Sequence, residues 1–501
     1  MPTKILLTTL NARYMHTAFA LRYLYANLHE LKSCAKICEF TIQERAIDIA
    51  EKLLKHNPLI IGFSIYIWNV EETTEVIALL KQIAPRVKII VGGPEVSFAN
   101  DQPALVELVD HIITGPGESS FYRLCADLIN QRPVLNRLIE GEALPLNQLI
   151  LPYQYYSEDD IRNRLIYVEA SRGCPFKCEF CLSALDKTAK PFELNQFLEE
   201  MAALHERGAR NFKFIDRTFN LKVSSSVAIL EFFLDRMSDD LYLHFEVIPD
   251  QLPDLLKQTL VKFPPHSLQF EIGVQTFDPD IQNLISRRQD NDKTCENLRW
   301  LRGNTGAHIH ADLIFGLPGD SLENFANSFN QLVELKPQEI QLGILKRLRG
   351  APINRHSDDY QMRYNPKSPY NILSTRDIDF QSMQRVNRFA RFWDLIGNSG
   401  RFKHTLPLIL DEDPFSRFLQ FSDALYRLAG RSWKISLRQQ FELIFIVLEE
   451  HMEVGADIIK HALNLDYQYS GQKGLLEFDK TKFENGARTG IANKRQKKHA
   501  D

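Results

Sequence analysis

Cys174-Pro175-Phe176-Lys177-Cys178-Glu179-Phe180-Cys181, preceded by Tyr167-Val168-Glu169-Ala170-Ser171-Arg172-Gly173, sets the frame for the rest of the chain. An apolar strand, a glycine break and three cysteines in the spacing CxxxCxxC make a tight thiolate loop at a strand end. Thiolates of this kind hold iron–sulfur clusters. Three of them grip three irons of a cubane and leave the fourth open to an external ligand, so such a cluster serves chemistry as well as electron transfer. A structural zinc loop is the competing reading, but it wants four protein ligands, and the next Cys or His downstream is His205. Cys174, Cys178 and Cys181 are therefore the expected metal ligands.

Outward from the cysteines, strand signals fall at 166–170, 211–216, 242–248, 268–275, 308–314 and 339–345, with helical stretches between them. Six strand–helix units predict a partial parallel barrel, open on one side, with its site at the C-terminal strand ends. Those ends carry polar or glycine residues: Asp216-Arg217, Glu246, Glu271 to Gln275-Thr276, Asp312 to Gly319, and Lys346-Arg347. Glu271 is in phase with inward-facing positions, and a buried carboxylate needs a partner.

Residues 4 to about 130 also alternate between strand and helix signals, which predicts a doubly wound parallel sheet. Ligands of such a sheet sit beyond the carboxyl ends of its strands. Three loops fall there: 11–16, Gly92-Gly93-Pro94-Glu95 and Gly115-Pro116-Gly117-Glu118. Glycine lets backbone approach a flat, bulky ligand. None of the loops is a GxGxxG or GxxxxGK[ST], so a nucleotide phosphate is not the expected guest. Cys34, Cys38 and Cys125 read as small core residues; none sits in a strand-end loop.

The cysteine pattern with Phe180 before its last member, the Gly273-Val274-Gln275-Thr276 stretch and Gly316-Leu317-Pro318-Gly319 resemble the radical S-adenosylmethionine (radical SAM) superfamily over residues 165–352. The order of pieces over 4–130 resembles the cobalamin-binding domain that precedes many of these enzymes. The resemblance implies a [4Fe-4S] cluster, S-adenosylmethionine and cobalamin as cofactors. It implies that Asp216 or Glu246 reaches the amino or hydroxyl groups of S-adenosylmethionine, that Gln275 faces the same pocket with Glu271 nearby, and that Gly92, Gly93, Pro94, Glu95, Gly115, Gly117 and Glu118 line the corrin. Many relatives carry Gly-Gly-Glu after the second barrel strand; here Phe214-Ile215-Asp216-Arg217 stands in that place, and Arg217, Lys346 or Arg347 is the expected partner of the methionine carboxylate. The Asp-x-His-x-x-Gly of histidine-ligated cobalamin domains is absent, so no histidine is expected beneath cobalt, and His16 is expected to pack or to hydrogen-bond. The implied activity is reductive cleavage of S-adenosylmethionine to a 5′-deoxyadenosyl radical, for methyl transfer to an unactivated carbon. A rearrangement, cyclisation or oxidation with the same cofactors is the alternative within enzymes. A non-catalytic iron–sulfur/cobalamin sensor or binding protein is the alternative of another class. The implied partners are a flavodoxin- or ferredoxin-type reductant and a small-molecule or peptide substrate.

The chain has 501 residues and a net charge of −4, which argues against a broad nucleic-acid footprint. No apolar run reaches the roughly 18–20 residues that span a bilayer, and the first residues carry too short an apolar run for a secretory signal. Seven cysteines, three of them clustered, suit a reducing cytoplasm. The expected organisation is an α/β chain: a cobalamin-binding-like sheet domain over 1–132, a linker over 133–164, a partial (β/α)6 barrel over 165–354, a helical C-terminal domain over 355–485 and a disordered basic tail over 486–501. Arg388-Phe389 and Arg391-Phe392-Trp393 read as core-facing helix residues.

Overall fold

The computed structural model describes residues 2–471, 474 and 476–479; the basic tail expected over 486–501 lies outside them. The chain divides into two compact units, residues 1–387 and 388–501.

The first unit opens with β1 (Ile5–Asn11), α1 (Phe19–Ala26), β2 (Ala35–Thr41), α2 (Ala46–Leu54), β3 (Ile60–Ser64), α3 (Val70–Ile83), β4 (Lys88–Gly92), β5 (His111–Thr114), α4 (Glu118–Ile129) and β6 (Leu138–Glu140). The strands form one parallel sheet in the order β2-β1-β3-β4-β5-β6. β1 and β3 are buried along their whole length, which is why they read as continuous apolar runs. One core cluster, including Leu6, Ile61, Ile77 and Ile89, packs on one face of the sheet; another, including Ile5, Leu21, Phe121 and Cys125, packs on the other. Cys34 closes a 3-10 turn, Cys38 lies within β2 and Cys125 within α4, away from the strand-end loops.

The stretch expected as a linker does more than connect. It supplies β6, which extends the sheet by pairing with β5. It also supplies the short helix α5 (Glu158–Asn163), started by a capping box between Ser157 and Asp160. Tyr153 and Tyr156 are fully buried and donate to the carbonyls of Glu169 and Tyr167. Arg22 of α1 bridges Asp160 at 2.7 Å and Glu39 at 2.8 Å, and Arg164 bridges the same two carboxylates at 2.7 and 2.8 Å. Each buried charge is thus met by two of the opposite sign, the arrangement that makes such burial tolerable. The network anchors the β1–α1 loop, where Thr17 Oγ1 donates to the Leu165 carbonyl and Leu165 N–H to that of Met15.

The second sheet begins at β7 (Ile166–Val168). A small antiparallel pair, β8 (Ser171–Arg172) with β9 (Lys190–Pro191), brackets the cysteine loop. Then follow α6 (Leu194–Glu206), β10 (Asn211–Phe214), α7 (Val223–Leu234), β11 (Tyr242–Val247), α8 (Asp254–Leu260), β12 (Leu268–Gln275), α9 (Pro279–Leu284), α10 (Asn291–Asn304), β13 (His308–Phe315), α11 (Leu322–Leu335) and β14 (Glu339–Ile344). All pairings are parallel, in the order β14-β13-β12-β11-β10-β7, so this is an open six-stranded barrel. Burial alternates along β12 and β13: Phe270, Ile272, Ile309 and Ala311 pack on one face, while Glu271, His310 and Asp312 point to the other. The helix-facing side holds a run of aromatic contacts through Phe212, Phe214, Phe219, Phe233 and Phe245.

In the second unit, Phe389 and Trp393 are buried against Phe415 and Phe418, so these aromatics pack as expected. Asp466, 1% exposed, accepts from the backbone N–H groups of His404 and Thr405 and from the Thr405 hydroxyl. Among the described residues no helix is long and apolar enough to cross a membrane.

Candidate functional site

The cysteine loop starts where the backbone must turn sharply. Gly173 has φ +95°, and a Cβ there would overlap the carbonyl oxygen of Thr188, so only glycine fits between Arg172 and Cys174. Cys174 N–H donates to the Asp186 carbonyl at 3.0 Å and Cys181 N–H to the Cys178 carbonyl at 3.1 Å. Glu179, between the second and third cysteines, is 4% exposed. Its carboxylate accepts from Ser286 Oγ at 2.6 Å, Arg355 at 2.5 Å and His356 Nε2 at 2.9 Å. Its N–H bonds the carbonyl of Ile285, and its carbonyl accepts from Ile353. This one residue pins the loop to two other segments; the CxxxCxxC spacing gave no signal for it.

Burial raises the Cys174 and Cys178 thiols, and the neighbouring Cys181 sulfur raises both further; Arg287, 3.6 Å from Cys178 Sγ, pulls Cys178 the other way. Among the described residues no group of three His, Cys, Asp or Glu side chains is gathered as for a single metal ion. Thiolates that each bind a separate iron of a cluster stand further apart than ligands of one ion.

Beyond the loop, the lumen of the barrel is lined with charge. Lys213 and His244 reach Glu271 at 3.2 and 3.1 Å. Burial works to raise the Glu271 carboxyl, but these two partners outweigh it and bring it down to about 2. Arg217 donates to both oxygens of Glu246 at 2.8 Å. Asp216, 3% exposed, accepts from Ser171 Oγ at 2.6 Å and Ala170 N–H at 2.9 Å; burial pushes it up to about 7. It therefore fastens the end of β7, and both its oxygens are engaged.

Among the described residues of this region, Gln275 Oε1 and Asp312 Oδ1 are buried without a hydrogen bond, the latter 3.5 Å from His310 Nε2, which also makes none. Gln275 sits at a bulge in β12 with φ +71°, and its amide folds back over Gly273, where any Cβ would overlap it. That contact explains the Gly-x-Gln spacing. Burial, then the neighbouring Glu271 and Glu246, hold the Asp312 carboxyl well above the usual carboxylate range. Buried polar atoms left unpaired are costly, and mark places where a ligand group is expected.

A cavity of about 870 Å³ lies in the first unit, walled by strand ends of both sheets. From the first sheet come Thr9, Asn11, Ser64, Gly92, Gly93, Pro94 and the Gly115–Glu118 turn; from the second, Tyr167, Glu169, Arg172 and Ile215. Its volume is near the upper end for cofactor clefts. Tyr66 and Trp68 stack in its wall, ring centroids 4.3 Å apart and 6° from parallel. His16 also lines it, with Nδ1 2.8 Å from the Tyr167 hydroxyl; burial lowers its imidazole.

Of the residues expected to line the corrin, Gly92, Gly93, Pro94, Gly115, Gly117 and Glu118 border this cavity and Glu95 does not. Glu95 is buried at 4% exposure and binds Arg349 and Tyr370, each at 2.7 Å. Arg349 and Arg347 also hold Asp101. Arg347 and Arg217, two of the expected carboxylate partners, are thus already paired, and Lys346 stands exposed after β14.

The B12 binding domain family matches residues 5–124, the radical SAM superfamily residues 168–332, and a family described as protein of unknown function (DUF4080) residues 358–498. The cobalamin-dependent radical SAM methyltransferase TokK of Streptomyces tokunonensis is 24% identical over 374 residues, covering 66% of this chain and 52% of TokK. The chain thus spans about half the length of this curated relative. Among solved structures, the cobalamin-dependent S-adenosylmethionine radical enzyme OxsB with aqua-cobalamin and S-adenosylmethionine bound aligns with a TM-score of 0.62 at 13% identity, over 94% of this chain and 84% of that one. TsrM of Kitasatospora setae, a radical S-adenosylmethionine methyltransferase with cobalamin and a [4Fe-4S] cluster bound, aligns with a TM-score of 0.58 at 17% identity, over 73% of this chain and 81% of that one. The chain thus carries a B12-binding domain followed by a radical SAM domain, in this order, on the two parallel sheets described above.

Proposed function

We propose that the protein is a cobalamin-dependent radical SAM enzyme that transfers a methyl group to carbon. The observation that carries this reading is a cavity bounded by the strand ends of both sheets, with Arg172 and Leu182, which flank the cysteine loop, in its wall. When bound, the cluster, S-adenosylmethionine and cobalamin supply the radical chemistry and the methyl group; the protein supplies position and exclusion of water.

The chain's own residues suit those roles. Cys174, Cys178 and Cys181 offer three thiols, and burial of Cys174 and Cys178 disfavours their ionised form unless a cation is bound, which is the demand an iron site meets. Glu179 and Gly173 fix the loop, and Arg287 faces Cys178. Gln275 Oε1 and Asp312 Oδ1, buried oxygens that make no hydrogen bond, are available to the hydroxyl or amino groups of S-adenosylmethionine, a role Asp216 is too committed to fill. Glu246 and Glu271 stand behind them, paired to Arg217 and to Lys213 and His244. In the cavity, Gly92, Gly93, Gly115 and Gly117 let a flat macrocycle approach the backbone.

The electron comes from a one-electron carrier of the flavodoxin or ferredoxin type, and a reducing cytoplasm suits seven free cysteines. The test is anaerobic: protein reconstituted with iron and sulfide, reduced with dithionite and given S-adenosylmethionine, assayed for 5′-deoxyadenosine by mass spectrometry. The parent is expected to form it well above the level of a C174A/C178A/C181A variant, which should hold neither iron nor sulfide. Equal amounts from the two would refute the assignment.

A further inference from the structure

Resting on the reading that the cavity takes cobalamin beside the cysteine loop, we propose that Arg172 is a positioning residue that couples the two sites, through its ion pair with Glu118. The backbone of Arg172 is fixed in the β8–β9 pair and runs directly into Gly173 and Cys174. Its side chain leaves the barrel and reaches the other domain: Nη1 donates to Glu118 Oε1 at 2.8 Å. Glu118 is the first residue of α4 and follows immediately on the Gly115-Pro116-Gly117 turn. On its own side, Arg172 Nη2 donates to Glu169 Oε1 at 2.5 Å, and the guanidinium lies over the Tyr23 ring at 4.9 Å from the centroid. Tyr23, Glu118, Glu169 and Arg172 all line the cavity, and both carboxylates are buried, at 8% and 5% exposure.

The chemistry of the pair makes it a strut. A planar guanidinium held between two carboxylates has little freedom, and charge-assisted bonds are the strong ones. Glu118 is also at the positive end of a helix, which favours its carboxylate there. A cysteine loop ordered around its irons therefore fixes Arg172, and Arg172 fixes the start of α4 and the glycine turn that the corrin must meet. Pre-ordering one side of a site raises affinity by removing that cost from binding. Other ties between the domains, such as Arg22 and Arg164 with Glu39 and Asp160, and Arg349 with Glu95 and Asp101, involve no residue next to Cys174, Cys178 or Cys181. Removing Glu118's charge should accordingly leave the domains attached and cut only this line.

The experiment measures hydroxocobalamin affinity from its absorbance, on cluster-loaded and on cluster-free protein. The parent should bind at least about fivefold more tightly with the cluster in place, the lower end of usual coupling between sites. In Glu118→Gln the ratio should fall to near one, with iron and sulfide content at the parent level. Arg172→Lys, which keeps a single charged donor, should give an intermediate ratio; a residue that merely supports the fold would not grade the ratio in this way. A ratio near one in the parent, or a parent-sized ratio in Glu118→Gln, overturns the coupling. Absence of any hydroxocobalamin binding by the parent in both forms overturns the cavity reading itself, and the coupling with it.

Discussion

The two parallel sheets of the first unit end in contrasting ways. Around the first, the strand ends are mostly small: Thr9, Ser64, Gly92 and the Gly115–Gly117 turn leave open space, and backbone forms much of the wall. Along the barrel, the lumen is occupied by long charged side chains that are mostly paired: Lys213 and His244 with Glu271, Arg217 with Glu246. The first sheet makes room for a large flat guest; the second prepares a charged environment in which two buried oxygens, Gln275 Oε1 and Asp312 Oδ1, make no hydrogen bond. Both sheets are wholly parallel, but the first reverses its strand order at β1 while the barrel runs in chain order; the chemistry of the two sites differs through the side chains that stand at the C-terminal ends.

The largest expected effect separates two glycines that look equivalent in the sequence. Gly115 has φ +67° and open space where a Cβ would go; Gly93 has φ +109° and would place a Cβ against the Ile65 carbonyl oxygen. Gly115→Leu should abolish retention of hydroxocobalamin through gel filtration, keep its iron content, and lose no more stability than the roughly 1–2 kcal/mol of a left-handed non-glycine residue. Gly93→Ala should lower the melting temperature whether or not cobalamin is present, because its strain is internal to the loop. Retention by Gly115→Leu at the parent level would remove the corrin from this wall and erase the contrast.

A smaller effect tests the paired charges of the barrel. The Glu271 carboxyl is brought from 4.5 down to about 2 in the folded protein. Its contribution to stability is therefore present above about pH 4.5 and is lost as pH falls from there toward 2. That contribution is worth up to about 3 kcal/mol by linkage. Denaturant unfolding of the parent and of Glu271→Gln should differ most near neutral pH and converge below 4.5. A gap that is constant across this range would mean that Glu271 supports the barrel by packing alone.

The sheets, the cysteine loop and the strand-end placement of the site were legible because they rest on local signals: apolar runs, a glycine break and thiol spacing. The features the sequence did not disclose depend on contacts between distant residues. β6 hides in a stretch broken by prolines, and only its pairing with β5 makes it a strand. Glu95 belongs to a sequence motif that suggested a ligand, yet the loop turns its carboxylate toward Arg349, 254 positions later. Asp216 likewise stands at a strand end, but Ser171 and Ala170 take both of its oxygens. Glu179 carries no spacing signal, because its partners Ser286, Arg355 and His356 are over a hundred positions away. Gln275 was singled out by its Gly-x-Gln stretch, whereas Asp312, read only as one of several polar strand-end residues, stands out once its buried oxygen is seen to make no hydrogen bond.

The central claim is that cobalamin and the cluster face each other across one cavity, and pulsed electron paramagnetic resonance tests it most directly. Anaerobic protein loaded with both and poised with cob(II)alamin and the reduced cluster together holds two paramagnets. If both line the same cavity, their spectrum should show dipolar broadening and faster relaxation than the sum of the spectra taken with each alone, and Gly115→Leu should return the cluster signal to its isolated form. Two signals that add without mutual broadening, in protein that retains both groups, would contradict the account.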